Sequence, residues 1–234
     1  MKILVRAPNW IGDSILAIPA IQSLAQAYPE TEIWVAAKSW VKDLFLSFPF
    51  IKGVIPLPEG SGLSAVRRAA REWKDFGFQA GLLLTNSFGS ALPLMWARIP
   101  DRWGYSADGR RALLTRSVRR PAPEATLHHV WYYLNLISGL GLEPLTPALS
   151  FPLEPEEIQD AARLLSDKGV IQGAPLILLN PGGYFGSAKR WPPERFSALG
   201  ALFQKERRAQ IVIVGSKNET LLAEAIAEPL ASSP

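Results

Sequence analysis

Apolar and polar positions alternate along this chain in two registers. Short runs dominated by apolar and β-branched residues, at 2–6, 31–37, 53–57 and 79–85, predict strands. Longer stretches with apolar residues three and four apart separate them. Ile15, Ile18, Ile21, Leu24 and Ala25 predict a helix over 14–28, and Leu63, Val66, Ala70 and Trp73 predict another over 62–76. Residues 39–48 predict a short aromatic-rich helix. A crossover therefore follows each strand, the signature of a parallel sheet.

Beyond residue 85 the pattern continues through a Gly/Ser turn at 86–90, a helix to about Arg98 and a short extended piece at Trp103-Gly104-Tyr105. A basic segment runs on to Arg120. Residues 125–140 predict one helix, with His129, Tyr132, Tyr133, Leu136 and Leu140 on its buried face. Gly141, Pro144, Pro147 and Pro152 make 141–153 a linker. The alternation then restarts: helix 155–168 ending at Gly169, strand 175–180, helix 192–206, strand 210–215, helix 219–230. The expectation is an α/β chain of two Rossmann-like lobes, 1–152 and 153–234, binding ligands at the carboxyl ends of their strands. There is no solenoid-length repeat and no low-complexity tract.

Composition narrows the chemistry. With 48% hydrophobic and 20% charged residues in 234, the chain is globular in type, not disordered or collagen-like. It has no cysteine, which excludes disulfides, thiol catalysis and Cys-based zinc, and its two histidines, His128 and His129, leave little for a His-based metal site. On the aromatic helix these histidines are expected to pack or to make structural hydrogen bonds. No apolar run approaches the roughly 18–20 residues that a spanning helix requires. Lys2 and Arg6 ahead of apolar residues 15–24, with Ala25-Gln26-Ala27 behind, imitate a signal peptide, but Asn9, Gly12, Asp13, Pro19 and Gln22 break the apolar region.

Three loops at strand ends carry candidate chemistry. The first, Arg6-Ala7-Pro8-Asn9-Trp10-Ile11-Gly12-Asp13-Ser14, has one of the three glycines of a dinucleotide fingerprint, so a nicotinamide enzyme is disfavoured. It does place Asp13 at a helix start and at the mouth of the sheet, either as an N-cap or as a general base. The second, Asn180-Pro181-Gly182-Gly183 through Ser187, Lys189, Arg190, Trp191 and Pro192, combines a glycine-rich turn, a hydroxyl and adjacent cations before a helix. That is the chemistry of a diphosphate cradle, although it is not a Walker A loop. The third holds Ser216, Lys217 and Glu219, placed for nucleotide contacts, with Glu219 equally suited to the first turn of the next helix.

Charge is uneven. Residues 60–120 contain eleven basic and four acidic side chains, a net +7 against −3 for the remainder. An anionic partner for the first lobe or a solvated basic face accounts for this equally. Nucleic acid is the weaker partner, because no aromatic RNP pattern, helix-turn-helix or zinc module accompanies the charge.

Taken in order, the residues Ile3-Leu4-Val5-Arg6-Ala7-Pro8-Asn9-Trp10-Ile11-Gly12-Asp13, Ile99-Pro100-Asp101-Arg102-Trp103-Gly104-Tyr105 with Asp108-Gly109-Arg110 and Leu113-Leu114-Thr115, His128-His129 with Tyr132-Tyr133-Leu134, and Asn180-Pro181-Gly182 through Ala188-Lys189-Arg190-Trp191-Pro192 resemble a known family. It is that of the bacterial ADP-heptose:lipopolysaccharide heptosyltransferases, glycosyltransferase family 9, and most of all its heptosyltransferase II branch. The resemblance implies a GT-B-like fold, an N-terminal acceptor lobe and a C-terminal nucleotide-sugar lobe. It implies metal-independent, inverting transfer of L-glycero-D-manno-heptose from ADP-heptose to the phosphorylated inner core, with no cofactor and with peripheral attachment at the inner face of the cytoplasmic membrane. It also implies that Asp13 is the catalytic base and that Lys189 contacts the donor phosphates; Gly182, Gly183, Ser187, Arg190, Ser216, Lys217 and Glu219 are donor-site candidates from the chemistry and position of their loops. Asn9, Arg102, Arg110 and Arg120 are the candidates for the acceptor, the arginines on charge and location alone.

One departure stands beside the match. Family members carry a D-[ST]-G-x-x-H segment further along that closes around the donor, and this sequence reaches Pro234 without it. The second lobe is therefore expected to be truncated, with two strands, unpaired edges and uncovered helix faces, and to transfer heptose poorly or not at all as it stands. A glycolipid-binding fragment without catalysis, or a family 9 enzyme with another donor or acceptor, are the alternatives.

Overall fold

The computed structural model describes residues 1–121, 128–148, 150–183 and 190–231. The chain forms two compact units, Met1–Glu154 and Pro155–Pro234.

The first unit is built on six parallel strands: β1 (Lys2–Arg6), β2 (Glu32–Ala37), β3 (Ile51–Pro56), β4 (Ala80–Leu83), β5 (Asp101–Tyr105) and β6 (Arg116–Val118), in the order β3-β2-β1-β4-β5-β6. Its helices are α1 (Ile11–Ala27), α2 (Gly62–Phe76), α3 (Phe88–Trp96) and α4 (His129–Gly139). The two-residue period of a strand sorts the side chains of β1 onto two faces. Ile3, Val5 and Ala7 enter a core with Ala17, Ile18 and Leu24 of α1 and Tyr133, Leu136 and Ile137 of α4. Leu4 enters a second core with Ala69, Ala70 and Trp73 of α2 and Ala91 and Leu94 of α3. The order of the strands reverses at β1, with β2 and β3 added on one side and β4 to β6 on the other, so the connections that part between β1 and β4 open a crevice at their carboxyl ends.

Two glycines are set by close approach. At Gly81 in β4 a Cβ would lie far inside contact with Leu94, and at Gly139 far inside contact with Val118, so each lets a helix settle directly on a strand.

The strands and helices expected from the periodicity are present, with differences at three places. Residues 39–48 form a single 3₁₀ turn, Lys42–Phe45, instead of a helix. The basic segment contains a 3₁₀ turn, Arg110–Leu113, and the edge strand β6, which a sequence of exposed cations concealed. Charge is what an exposed sheet edge carries to resist pairing with another chain. Helix α4 starts at His129, with His128 as its N-cap, its Nδ1 accepting from Val130 N at 3.4 Å. The earlier part of the expected 125–140 helix, 125–127, lies outside the described residues.

The second unit contains α5 (Pro155–Asp167), β7 (Leu176–Leu179), α6 (Pro193–Arg207), β8 (Gln210–Ile213) and α7 (Thr220–Ala231). Strands β7 and β8 pair in parallel as a two-stranded sheet. Leu179, Ile226 and Leu230 form a small core, joined by Ile177, Phe196, Ile211 and Ile213. Among the described residues α5 buries none, and Ile158, Leu164, Leu176 and Leu178 are exposed. Parallel strands are ordinarily covered on both faces, so this unit presents apolar surface of the kind that an additional layer covers.

Candidate functional site

At the carboxyl end of β1 the chain turns through Pro8-Asn9-Trp10 into α1. Buried Ser14 fixes that turn by donating Oγ–H to the Pro8 carbonyl at 3.2 Å, and Trp40 Nε1 donates to the Asn9 carbonyl at 3.0 Å. The N-cap of α1 is Trp10, with no side-chain cap bond, and Asp13 stands in the first turn. Asp13 is thus not the capping residue. Its carboxylate benefits from the helix dipole while remaining 31% exposed.

Asp13 lines a cavity of about 310 Å³ with Asn9, Asn86, Ser87, His129, Tyr132 and Tyr133 among its walls. His129 Nδ1 lies 3.1 Å from Asp13 Oδ1. A carboxylate only accepts, so Nδ1 carries the proton of this bond. Tyr132 donates its hydroxyl to Asn86 Oδ1 at 3.0 Å, and its carbonyl receives the Tyr105 hydroxyl at 2.6 Å. Burial first, and then the negative charge of Asp13, push the Tyr133 phenol far above its ordinary pKa, so it stays a neutral hydroxyl beside the carboxylate. The site thus offers one proton acceptor, an imidazole that orients it, and neutral donors around the space where a hydroxyl would sit.

The expected acceptor residues are scattered. Asn9 is at the cavity mouth. Arg102 is near the amino end of β5, at the opposite edge of the sheet, and its guanidinium donates to the carbonyls of Leu113 (2.7 Å), Ile99 (2.6 Å) and Pro100 (3.1 Å). Arg110 is fully buried. It donates to Tyr105 O at 2.9 Å, to Thr85 O and to Ser90 Oγ at 3.3 Å, and burial lowers its pKa to about 10. Arg110 thus satisfies carbonyls at the end of β5 and just after β4, and Arg102 those of the residues before β5 and of the 3₁₀ turn after it, so the hydrogen bonds of both guanidinium groups go to the backbone of their own unit, apart from Ser90 Oγ. Arg120, half-buried, follows β6. Of the two histidines expected to pack or to make structural hydrogen bonds, His128 caps α4, and His129, expected on the buried face of that helix, has a side chain 60% exposed and bonded to Asp13.

In the second unit the residues at the carboxyl ends of β7 and β8 do converge. Glu219 accepts from Ser216 N (2.7 Å) and Ser216 Oγ (2.8 Å), closing a capping box at the 3₁₀ turn Lys217–Glu219 that leads into α7. The Ser216 N–H and then its hydroxyl hold the Glu219 carboxyl below the usual carboxylate range, with smaller contributions from the Gly183 N–H and the Arg190 charge. Gly182 lies so close to that carboxylate that a Cβ would overlap it. Arg190 Nε and Nη2 both donate to the Gly183 carbonyl, at 3.0 and 2.7 Å. Gly182, Gly183, Arg190, Ser216 and Glu219 are thus neighbours, and Lys217 is exposed beside them. Ser187 and Lys189 lie outside the described residues. Among the described residues, no group of three or more acidic, His or Cys side chains is placed to hold a metal ion, and no helix is long and apolar enough to cross a membrane.

Comparison with known proteins gives the family and the fold. The sequence profile of glycosyltransferase family 9 (heptosyltransferase) matches residues 66–233. The lipooligosaccharide heptosyltransferase 2 of Haemophilus ducreyi is 30% identical over 97% of this chain and 66% of its own length. The lipopolysaccharide heptosyltransferase 2 of Salmonella typhimurium is 31% identical over 94% of this chain and 64% of its own. The chain therefore spans about two thirds of the length of these relatives. The solved structure of E. coli ADP-heptose lipopolysaccharide heptosyltransferase II superposes with a TM-score of 0.80 at 26% identity, covering 99% of this chain and 71% of that one. The fold is accordingly GT-B-like.

Proposed function

The chain belongs to glycosyltransferase family 9, and from that premise we propose that it contributes the acceptor lobe and the front of the donor lobe to an inverting heptosyltransferase. The donor is ADP-L-glycero-D-manno-heptose and the acceptor is the inner core of lipopolysaccharide, in a reaction of the heptosyltransferase II kind. In this reading the acceptor hydroxyl oxygen attacks the anomeric carbon, the bond from that carbon to the β-phosphate oxygen breaks through an oxocarbenium-like state, and ADP departs with the bonding pair. Asp13 takes the hydroxyl proton, and single displacement inverts the anomeric centre. Gly182, Gly183, Ser187, Lys189, Arg190, Ser216, Lys217 and Glu219 receive the nucleotide diphosphate, their N–H groups and cations stabilising the charge that develops on it. Of the acceptor candidates Asn9 and Arg120 are retained; Arg102 and Arg110 are replaced by their structural roles.

The observation that carries the reading is the Asp13 carboxylate, oriented by His129, in an open cavity at the carboxyl end of β1. In this reading transfer takes place at the inner face of the cytoplasmic membrane, and the net +7 of residues 60–120, which would draw the lobe to anionic lipid, supports it. The test is transfer from ADP-heptose to a one-heptose inner-core acceptor, followed by mass spectrometry with the full-length protein. Addition of one heptose by the wild type and its loss in a folded Asp13→Asn variant is the expected result. Near-normal turnover by that variant overturns the assignment of the base. Thermal shifts with ADP, UDP and GDP address the donor, and a larger shift with UDP or GDP overturns the adenine assignment.

A further inference from the structure

Arg6 ends β1, and the period of the strand puts it in phase with Leu4, on the α2/α3 face and away from the face that carries Asp13. It is 7% exposed. Its guanidinium donates to the Ala7 carbonyl and, at 2.7 Å, to Asn9 Oδ1, both neutral acceptors. Among the described residues no carboxylate lies within ion-pair distance of it. Burial lowers its pKa to about 10. A buried cation without a counter-charge is a costly arrangement, and something must repay it.

Arg6 lines a cavity of about 370 Å³ whose other charged wall residue is Lys38, beyond β2. Helices α2 and α3 both begin at this cavity, and their N-cap residues, Ser61 and Ser87, make no side-chain cap bond. Both ends thus bring positive dipole potential and first-turn N–H groups that no capping side chain satisfies. Among the described residues no Asp or Glu lines the space. A cavity edged by two cations and two helix N-termini is complementary to an oxyanion.

Asn9 and Ser87 line this cavity and also the one that contains Asp13. The two therefore adjoin across the ends of β1 and β4, one on each face of the sheet. We propose that the cavity at Arg6 is an oxyanion subsite that holds a phosphate or carboxylate group of the acceptor saccharide, next to the hydroxyl that Asp13 deprotonates. The subsite rests on the transferase reading for the identity of its ligand, and on the geometry alone for its anion selectivity.

Two measurements test it. In the first, inorganic phosphate and acetate are titrated onto the full-length protein, by ³¹P line broadening for phosphate and by thermal shift for both. Saturable binding is expected, weakened about tenfold or more in Arg6→Met, as the loss of a charge-assisted contact implies. Ser61→Asp keeps the fold, because Asp is a favoured N-cap, and places a carboxylate in the space; it should abolish binding, while Arg71→Ala on the exposed face of α2 should not change it. No saturable binding by the wild type, or wild-type binding by Ser61→Asp, overturns the subsite. In the second, the acceptor KM is measured with native, phosphatase-treated and carboxyl-methylated acceptor. One treatment should raise the wild-type KM with kcat retained and leave Arg6→Met indifferent to it. If neither treatment changes KM, the anion does not belong to the acceptor. Failure of heptose transfer would overturn the ligand identity and leave the phosphate titration to decide the subsite.

Discussion

His129 donates its Nδ1–H to Asp13 Oδ1 over 3.1 Å, joining the first residue of α4 to the first turn of α1 across 116 residues of sequence. The bond fixes one oxygen of a carboxylate that lines the cavity. The imidazole is a positioning group, and its effect on rate should be smaller than that of the base itself.

Asp13→Asn should lower kcat by about 10²–10⁴-fold, the usual range for a removed general base. His129→Ala should lower kcat by about tenfold, the cost of a misoriented base, with acceptor KM nearly unchanged. The His129→Ala pH–rate profile should also shift. A profile superimposable on that of the wild type would make the histidine merely structural.

Arg110→Met removes donors from the Tyr105 and Thr85 carbonyls inside the first unit. Leaving buried acceptors unanswered should destabilise the protein by about 2–4 kcal/mol. Denaturant unfolding measures this directly. A variant as stable as the wild type, with a raised acceptor KM, would return Arg110 to the acceptor role.

Gly81→Ala pushes a methyl group into Leu94, and overpacking of this kind should cost about 1–3 kcal/mol. Adding Leu94→Val should recover part of the loss, giving a favourable coupling in a double-mutant cycle. Strict additivity of the two substitutions would contradict the packing of α3 on β4.

Glu219 supplies a pH signature for the second unit. Its folded pKa is held below the ordinary value of 4.5 by the Ser216 N–H and hydroxyl. The stabilisation is therefore complete above that ordinary value and fades as pH falls through the depressed one. Glu219→Ala should lower the Tm most at neutral pH, and the gap from the wild type should close on acidification. A gap independent of pH would mean that the capping bonds contribute nothing through the charge.

Much of this architecture is written in the periodicity. Ile3, Val5 and Ala7 against Leu4 already distinguish the two faces of β1, and the apolar spacing of 14–28 and 62–76 locates α1 and α2. What periodicity does not convey is partnership. Arg102 and Arg110 count as surface charge in a sequence, and only the fold reveals the carbonyls that claim them. A weak signal was present for Arg110, which sits in a tight turn directly after a strand, where open carbonyls need donors; Gly109 before it adopts φ 73°. β6 was hidden because a three-residue edge strand carries no apolar alternation. Asp13 could be placed from its loop, but His129 could not be assigned to it, since nothing local joins residues so far apart.

The thin wall at Asn9 and Ser87 between the two cavities has an evolutionary consequence. Reaction and recognition occupy opposite faces of the same sheet and share only the rim between them. Substitutions on the α2/α3 side can retune which acceptor is accepted while the proton-transfer pair on the α1/α4 side is inherited intact, so new specificity can arise in this lobe without passing through a catalytically dead ancestor.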